Sequence, residues 1–292
     1  MLAAALRIPV PGGAIEVEVV GRHATLSERT LVSWAEKAGG AVAVYYGTFP
    51  LSSVELMIRA GGPGGISGGR TGAPRGKAAI RIAIGGEATP GDLASNWVLV
   101  HEMVHLAFPS MTGHEWIEEG IATYVEPLAR TRAGLAPPDE IWRWLVWGLP
   151  RGLEAIHGRG LDSASSWAAN YWGGALFCFL ADVEIRKRTG NRKSLDDALR
   201  GILRAGGNVT VSWPIERALA EGDRATGVPV LAELYATMRH GPVRVDLADF
   251  WKKLGVSSAG GRIVYDDAAP LAAIRRGIAT GRPAPSKPGE SG

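Results

Sequence analysis

The sequence contains a single cysteine, Cys178, so an internal disulfide is excluded. This cysteine lies in the apolar run 175–180, which predicts a small core residue. The chain also lacks an apolar run of about eighteen or more residues, the minimum for a membrane-spanning helix. Its first residues have no basic start, and their apolar run is too short for a signal peptide. We therefore expect a soluble protein, either cytoplasmic or exported after loss of a presequence.

Charge of one sign is also scarce, because the formal net charge is only +3 over 292 residues. The densest basic run comprises Arg186, Lys187 and Arg188, and it continues at Arg192 and Lys193. It ends a helical pattern, where cations interact favourably with the helix dipole. Since no wider basic stripe accompanies it, the run predicts a solvated helix end and no nucleic-acid partner.

Residues 1–89 favour β-strands. Apolar and polar residues alternate at 14–19, 54–58 and 79–84, and residues 41–46 form a shorter apolar candidate strand. Between the first two strands, residues 27–38 are predicted to form a helix with Ser27 as its cap.

A glycine-rich stretch at residues 61–76 interrupts this pattern. It lacks the Gly-Lys-Ser/Thr ending of a phosphate-binding loop and does not lead into a helix, so that interpretation is weak. We predict a loop, either a plain connection or a segment whose backbone closely approaches a ligand.

From Pro90 onward the pattern becomes helical. Thr89 and Pro90 begin a helix that is predicted to run through His105, and residues 114–130 form the next one. Further helices are predicted near residues 139–147, 170–188, 194–205, 214–221, 229–239 and 247–254.

The predicted fold class is therefore α+β, with a small mixed sheet followed by a mostly helical part. We divide the chain into a strand-rich lobe at 1–89, a helical lobe at 90–258 and a C-terminal segment at 259–292. The end of that segment, from Arg282, is rich in proline, serine, glycine and charge, and we predict that it is disordered.

The helical lobe contains His-Glu-Met-Val-His at positions 101–105. Residues four apart lie on the same face of a helix, so His101 and His105 can bind one metal ion together. Two histidines and one glutamate are a known ligand set for catalytic zinc, with a fourth position left for water. Glu102 points about 100° away from each histidine, so it is a candidate general base. The motif predicts a zinc hydrolase with one Zn²⁺.

The third ligand has to come from elsewhere in the chain. The metzincin pattern requires a histidine six residues after His105, but that residue is Met111. Glu115, Glu118 and Glu119 all lie on the next predicted helix. Adjacent helical residues point about 100° apart, so only one of the last two can face the metal, and spacing alone does not choose between them.

The segment Trp-Ile-Glu-Glu-Gly-Ile-Ala-Thr-Tyr-Val-Glu at 116–126 resembles Trp-Leu-x-Glu-Gly-Phe-Ala-x-Tyr-x-Glu of the aminopeptidase N family and the related glycyl aminopeptidases. Both are gluzincin metallopeptidases with a thermolysin-like fold. The resemblance implies that Glu119 is the third zinc ligand. Residues 170–176 are similar to the family's Tyr-x-Lys-Gly-x-Leu segment, which implies that the Tyr171 hydroxyl stabilises the oxyanion.

The chain departs from this family in two ways. The family's Gly-x-Met-Glu-Asn strand uses its Glu to hold the substrate amino group, whereas the counterpart by position, residues 65–71, contains no acid. The spacer of thirteen residues between His105 and Glu119 is also shorter than the one usual in the aminopeptidase N family. These departures indicate a divergent branch without the usual anchor for an N-terminus.

Several other residues have a structural interpretation. Trp142, Trp144 and Trp147 are predicted to pack in the core or between the lobes, with a groove for aromatic or sugar groups as the alternative. Tyr124 is predicted to pack in the core. The histidines without a predicted partner are His23, His157 and His240.

We therefore expect a zinc metallopeptidase that acts on a peptide or protein substrate. The family resemblance implies an aminopeptidase-like activity. The alternative is an inactive module that binds peptides or proteins through the same cleft, although the presence of Glu102 argues against it. A zinc-dependent hydrolase of a non-peptide amide or an epoxide would use the same ligands. The sequence does not define an oligomeric state.

Overall fold

The computed structural model describes residues 5–281, and it has a mixed β-sheet followed by a helical region. This confirms the predicted α+β fold class. The strands are β1 (Leu6–Val10), β2 (Gly13–Gly21), β3 (Val54–Ala60), β4 (Ile66–Gly72), β5 (Ala79–Ile84), β6 (Val256–Ala259) and β7 (Arg262–Tyr265). The helices are α1 (Glu28–Tyr46), α2 (Pro90–Ser95), α3 (Val98–His105), α4 (Glu115–Arg132), α5 (Asp139–Ile156), α6 (Gly174–Arg188), α7 (Leu195–Arg204), α8 (Ile215–Thr226), α9 (Val230–Met238), α10 (Leu247–Leu254) and α11 (Ala272–Thr280).

The first five strands form one sheet in the order β1-β2-β3-β5-β4. Strands β2, β3 and β5 are parallel, and β1 and β4 pair antiparallel at the two edges. The alternation that predicted β3 is visible in its burial, since Val54, Leu56, Ile58 and Ala60 are buried and face the helices. The sheet thus covers one side of the helical region.

Helix α1 is longer than predicted, and the expected strand at 41–46 is wrong because those residues form its last turns. Ser27 caps the helix as expected, accepting a hydrogen bond from the backbone N–H of Thr30. Gly39 and Gly40 are typical of the end of a helix, but here both lie inside one. Gly39 lets the helix lie close to the sheet, because a side-chain carbon there would lie 2.7 Å from Ile15 Cδ1.

The predicted loop at 61–76 is also wrong in its centre, where Ile66–Gly72 is the edge strand β4. Its register with β5 shifts between Ser67 and Gly69, as in a β-bulge. Glycine is rare in strands because it weakens them, so no local pattern indicates a strand here. The strand lies against α3.

The single helix expected from Pro90 to His105 is two helices. Helix α2 begins with a capping box formed by Thr89 and Asp92, and it ends where Asn96 adopts an extended conformation. The side chain of Asn96 then accepts a hydrogen bond of 2.9 Å from the N–H of Val98, at the start of α3. Because Asn96 is extended, α3 is a separate helix and does not continue α2.

The remaining helices follow the predicted ones, with α5 and α8 longer at their C-terminal ends. Besides β4, four strands or α-helices within residues 5–281 were not predicted: β1, β6, β7 and α11. The predicted disorder of residues 282–292 lies outside the described residues, and the division into lobes stays a prediction. Cys178 is buried and unbridged, as expected. No described helix combines the length and the apolar character needed to cross a bilayer.

The expected solvated helix end at 186–188 is only partly correct. Lys187 and Arg188 are exposed and pair with Glu184. Arg186 is instead buried, and it donates a hydrogen bond of 2.9 Å to Asp182. Sequence could not distinguish it, because Asp182 is one turn earlier and looks like an ordinary surface ion-pair partner.

Candidate metal centre

Helix α3 carries three of the predicted site residues through the apolar core. It packs against α1 and α4, and His101 and Glu102 are buried within it. His101 and His105 share one face because they are four residues apart. Their imidazole rings lie 5.0 Å apart between centroids, so both rings reach the same point on the side facing α4.

Helix α4 brings Glu119 to the two histidines. Glu119 Oε2 lies 3.1 Å from His101 Nε2 and 3.6 Å from His105 Nε2. One ligand atom from each of these three residues lies within 4.8 Å of the others. Glu118 points elsewhere, since its Oε1 accepts a hydrogen bond of 2.8 Å from the backbone N–H of Met111. Of the two candidates that spacing left open, the structure therefore places Glu119 beside the histidines.

Two glycines allow α4 to approach the helix that follows the tyrosine segment. A side-chain carbon at Gly120 would lie 2.3 Å from the carbonyl carbon of Gly174, and one at Gly174 would lie 1.9 Å from Trp116 O. The two backbones are therefore nearly in contact immediately after Glu119. This crossing fixes the distance between Glu119 and the start of α6.

The electrostatics of the three residues suit a cation. Burial lowers the pKa of His101, which favours the neutral imidazole that a metal requires. Burial alone would raise the pKa of Glu119, but hydrogen bonds and charge from His101 and His105 lower it well below its usual range. Burial opposes the protonation of His105, yet Glu119, Glu102 and Glu118 raise its pKa. The carboxylates thus stabilise positive charge at the point where the imidazoles meet.

The donor set fits Zn²⁺ by its chemistry, since it comprises two imidazole nitrogens and one carboxylate oxygen. Both histidines direct Nε2 toward Glu119, and the other ring nitrogen of His101, Nδ1, is buried without a hydrogen-bond partner among residues 5–281. Two imidazoles and a carboxylate are costly to bury together unless they are paired or bind an ion, and the convergence of their donor atoms fits a metal site.

His105 and Glu119 line a cleft of about 260 Å³, whereas His101 is buried and does not line it. Glu102 lies at its floor with 7% of its surface exposed. The lining also includes a strand side, formed by Gly69, Arg70, Thr71, Gly72 and Ala73, and an opposite side, formed by Ser110, Glu115, Glu118 and Val209. A larger cavity of about 750 Å³ lies between the end of β2 and the start of α1, and none of the predicted site residues line it.

Tyr171 also lines the cleft, from a π-helical segment (Ala169–Gly173) just before α6. Its ring stacks on His101, with centroids 5.4 Å apart and planes 6° apart, and Trp167 stacks on it at 5.0 Å. Burial, followed by the charge and hydrogen bonding of Glu119, raises the pKa of Tyr171. The hydroxyl therefore stays protonated near neutral pH and can donate a hydrogen bond.

Two residues of the site were not predicted from the sequence. Thr71 Oγ1 lies 2.6 Å from Glu102 Oε2 and 2.8 Å from the backbone oxygen of Glu102. Gly69 faces the same carboxylate, because a side-chain carbon there would lie 2.3 Å from Glu102 Cγ. The only signal was the absence of an acid and the abundance of glycine in residues 65–71, which do not indicate a contact with Glu102.

The tryptophans, the tyrosine and the histidines that were given a structural interpretation do not line the cleft. Trp142 is buried, whereas Trp147 is 46% exposed and lies under the guanidinium of Arg151. Tyr124 is buried as expected, and its hydroxyl donates to Asp182. His23 and His157 hydrogen-bond to the backbone oxygens of Gly85 and Val243.

No protein-family model matches the chain, and no curated protein matches it by sequence. Solved structures do match. An aminopeptidase N family protein from Idiomarina loihiensis has a TM-score of 0.65 at 14% identity, over 86% of this chain and 49% of that one. An M1 zinc metallopeptidase from Deinococcus radiodurans has a TM-score of 0.52 at 13% identity, over 83% and 52%. A variant of it bound to a Tyr-Ser-Ala substrate has a TM-score of 0.51 at 13% identity, over 80% and 50%.

These likenesses show the fold, which is that of M1 metallopeptidase domains. The thermolysin-like domain that the sequence predicted is therefore confirmed as a fold. The chain spans about half the length of the solved structures that it matches.

Proposed function

We propose that this protein is a zinc-dependent metallopeptidase that hydrolyses peptide bonds. The observation that carries the proposal is the convergence of His101, His105 and Glu119, with Glu102 beside them at the floor of a cleft. The fold shared with M1 metallopeptidases supports it, as does a similar structure bound to a Tyr-Ser-Ala substrate.

In this proposal His101, His105 and Glu119 hold one Zn²⁺. The bound ion would supply an acidified water and polarise the carbonyl of the peptide bond. Glu102 accepts the proton of the attacking water and passes it to the leaving amine. Tyr171 donates a hydrogen bond to the oxygen on which negative charge develops, a contribution of a few kcal/mol for such a donor.

The ligand set is tested by elemental analysis of the purified protein. We expect one zinc per chain in the wild type and in Glu118→Ala, because Glu118 binds the backbone N–H of Met111 instead. Glu119→Ala is expected to lose the metal. A wild-type protein that stays metal-free in the presence of zinc would overturn the proposal and favour the inactive binding module.

Catalysis is tested with an internally quenched peptide, offered with a free or an acetylated N-terminus. Glu102→Gln should keep its zinc and lose about 10²- to 10⁴-fold in activity, the contribution typical of a general base. Equal cleavage of the two peptides would indicate internal cutting, which is consistent with the absence of an acid from β4. Cleavage of the free peptide alone would indicate an aminopeptidase. Full activity in Glu102→Gln would contradict the proposed role of this residue.

A further inference from the structure

Strand β4 packs against helix α3, and two residues of the strand meet the side chain of Glu102. Residues 69 and 71 of β4 point to the same face of the strand, and both face Glu102. A side-chain carbon at Gly69 would lie 2.5 Å from Glu102 Oε1 and 2.3 Å from Cγ, so only glycine allows this approach. The strand is therefore shaped to lie against the carboxylate, at the edge of the sheet that borders the cleft.

The approach brings one hydroxyl to the carboxylate. Thr71 has a single hydroxyl hydrogen, and its two acceptors are Glu102 Oε2 at 2.6 Å and the Glu102 backbone oxygen at 2.8 Å. A hydrogen bond to a carboxylate is shorter and stronger than one to a neutral carbonyl, so Oε2 is the better acceptor. The contact joins the strand to the side chain and to the backbone of the same residue.

This contact makes the two carboxylate oxygens unequal. Oε2 is held by Thr71, whereas Oε1 receives no hydrogen bond from the described residues. A glutamate side chain has several rotatable bonds, and fixing one oxygen limits the rotamers that it can adopt. The oxygen left unpaired can then accept a proton in the cleft from a defined position.

We propose that Thr71 is a positioning residue that holds the carboxylate of Glu102 in its catalytic orientation. The proposal rests on the proposed function, because it assigns Glu102 the role of base. It also gives a different role to the segment that corresponds by position to the family's amine-binding strand. Where that strand carries an acid, β4 directs a hydroxyl to the base.

A double-mutant cycle tests the contact without metal or substrate. Thr71→Val keeps the branched shape and the strand preference of threonine and removes the hydroxyl. We expect the urea midpoint of Thr71→Val/Glu102→Gln to differ from the sum of the two single shifts, since residues in one hydrogen bond couple. Additive shifts would overturn the proposal. Thr71→Ser should keep the coupling with Glu102→Gln, which supports the role of the hydroxyl even if the valine variant folds poorly.

Steady-state kinetics test whether the contact between Thr71 and Glu102 matters for catalysis. In the zinc-loaded enzyme, Thr71→Val should lower kcat about 10- to 100-fold with KM within about threefold, as expected when a catalytic group is misplaced. Thr71→Ser should recover most of the loss. Ser67→Ala removes an exposed hydroxyl from the same strand and should leave both constants unchanged.

The outcomes separate the two proposals. Coupling together with a fall in kcat supports Thr71 as a positioning residue. An unchanged kcat in an active Thr71→Val enzyme overturns it, whatever the coupling. A zinc-free or inactive wild type overturns the proposed function, and the cycle then decides by itself whether Thr71 holds the carboxylate.

Discussion

Gly69 controls how closely the edge strand can approach the side chain of Glu102. Its missing side chain leaves the space that the Glu102 carboxylate occupies. Because that carboxylate belongs to a buried side chain on a packed helix, an added methyl group has to displace either the carboxylate or the strand.

Gly69→Ala is therefore expected to lower peptidase activity by at least about tenfold, because small displacements of a catalytic group are costly. Gly65→Ala, immediately before the same strand, is the matched control, since nothing lies within 4 Å of a side-chain carbon there and Gly65 does not line the cleft. The measurement is kcat on the quenched peptide, with zinc content checked in both variants. Equal activity of the two variants would contradict the close contact.

At the scale of single residues, the spacing of the sequence predicts some residues of the candidate site and misses others. His101, Glu102 and His105 are neighbours on one helix, so helical geometry alone groups them. Glu119 needed a family resemblance, because Glu118 is equally compatible with spacing. Thr71 lies 31 residues before Glu102 and carries no local pattern. Thr71 reaches Glu102 because β4 pairs with β5. Pairing between strands depends on the tertiary structure and cannot be predicted from a short segment of sequence.

Among the elements, helices α4 and α6 cross with almost no room between their backbones. Gly120 and Gly174 face each other there, one residue after Glu119 and three after Tyr171. The crossing therefore connects the predicted third ligand to the segment that carries the predicted oxyanion donor.

Gly120→Ala should destabilise the protein by about 1–3 kcal/mol, the usual cost of overpacking a core contact. It should also lower zinc content, because α4 has to move away from α6 and carries Glu119 with it. Gly40→Ala is the control within α1, where a side-chain carbon meets nothing within 4 Å. There the better helix propensity of alanine should raise stability by about 0.5–1 kcal/mol. Urea denaturation measures both changes, and a stabilised Gly120→Ala would be inconsistent with the crossing.

The capping box of α2 predicts a pH-dependent contribution to stability. Hydrogen bonds from the Thr89 side chain and backbone lower the pKa of Asp92. A carboxyl with a lower pKa in the folded state stabilises the fold above its unfolded pKa, near about 4, and loses that contribution as pH falls through the folded value.

The difference in the free energy of unfolding between wild type and Thr89→Ala should thus be largest at pH 7 and should decrease below about pH 4. Ser27→Ala is the control, because the hydroxyl of Ser27 caps α1 without a carboxylate partner. Its effect should be the same at both pH values. Urea unfolding at pH 7 and pH 3.5 makes the comparison, and an undiminished Thr89→Ala effect in acid would contradict the role of Asp92.

The elements that sequence predicted well are those with a clear period. Strands β2, β3 and β5 alternate, and α10 matches its predicted bounds. Two of the errors, at the end of α1 and at β4, share a physical cause, which is that glycine is typical of helix ends and loops. Gly39 lies within α1 and Gly69 lies within β4, where close packing against a neighbour outweighs the weak propensity of glycine.

At the scale of the whole molecule, a buried polar network joins helices that are distant in sequence. Asp182 of α6 accepts hydrogen bonds from Tyr124 of α4, from Arg186 and from the N–H of Leu195 at the start of α7. Asp182 and Arg186 have 0% and 1% of their side chains exposed. The charges are paired, so the network is tolerated, but each charge depends on its partner.

Asp182→Ala is expected to destabilise the protein by about 3–5 kcal/mol, since it leaves the buried guanidinium of Arg186 without its carboxylate. Asp139→Ala removes the acid of an exposed i,i+4 pair with Arg143 and should cost at most about 1 kcal/mol. Urea denaturation of both variants checks the contrast. Similar losses would show that water reaches Arg186.

The π-helical segment Ala169–Gly173 has a consequence for comparing this chain with its structural neighbours. A π turn holds one residue more than an α turn. The side chains before the segment therefore point in different directions, relative to those of α6, than they would on a continuous α-helix. Counting back from α6 in α-helical steps would therefore assign the position of Tyr171 to a neighbouring residue. An alignment to a regular helix needs a one-residue gap here, and deleting one residue would rotate the tyrosine by about 100° away from the cleft.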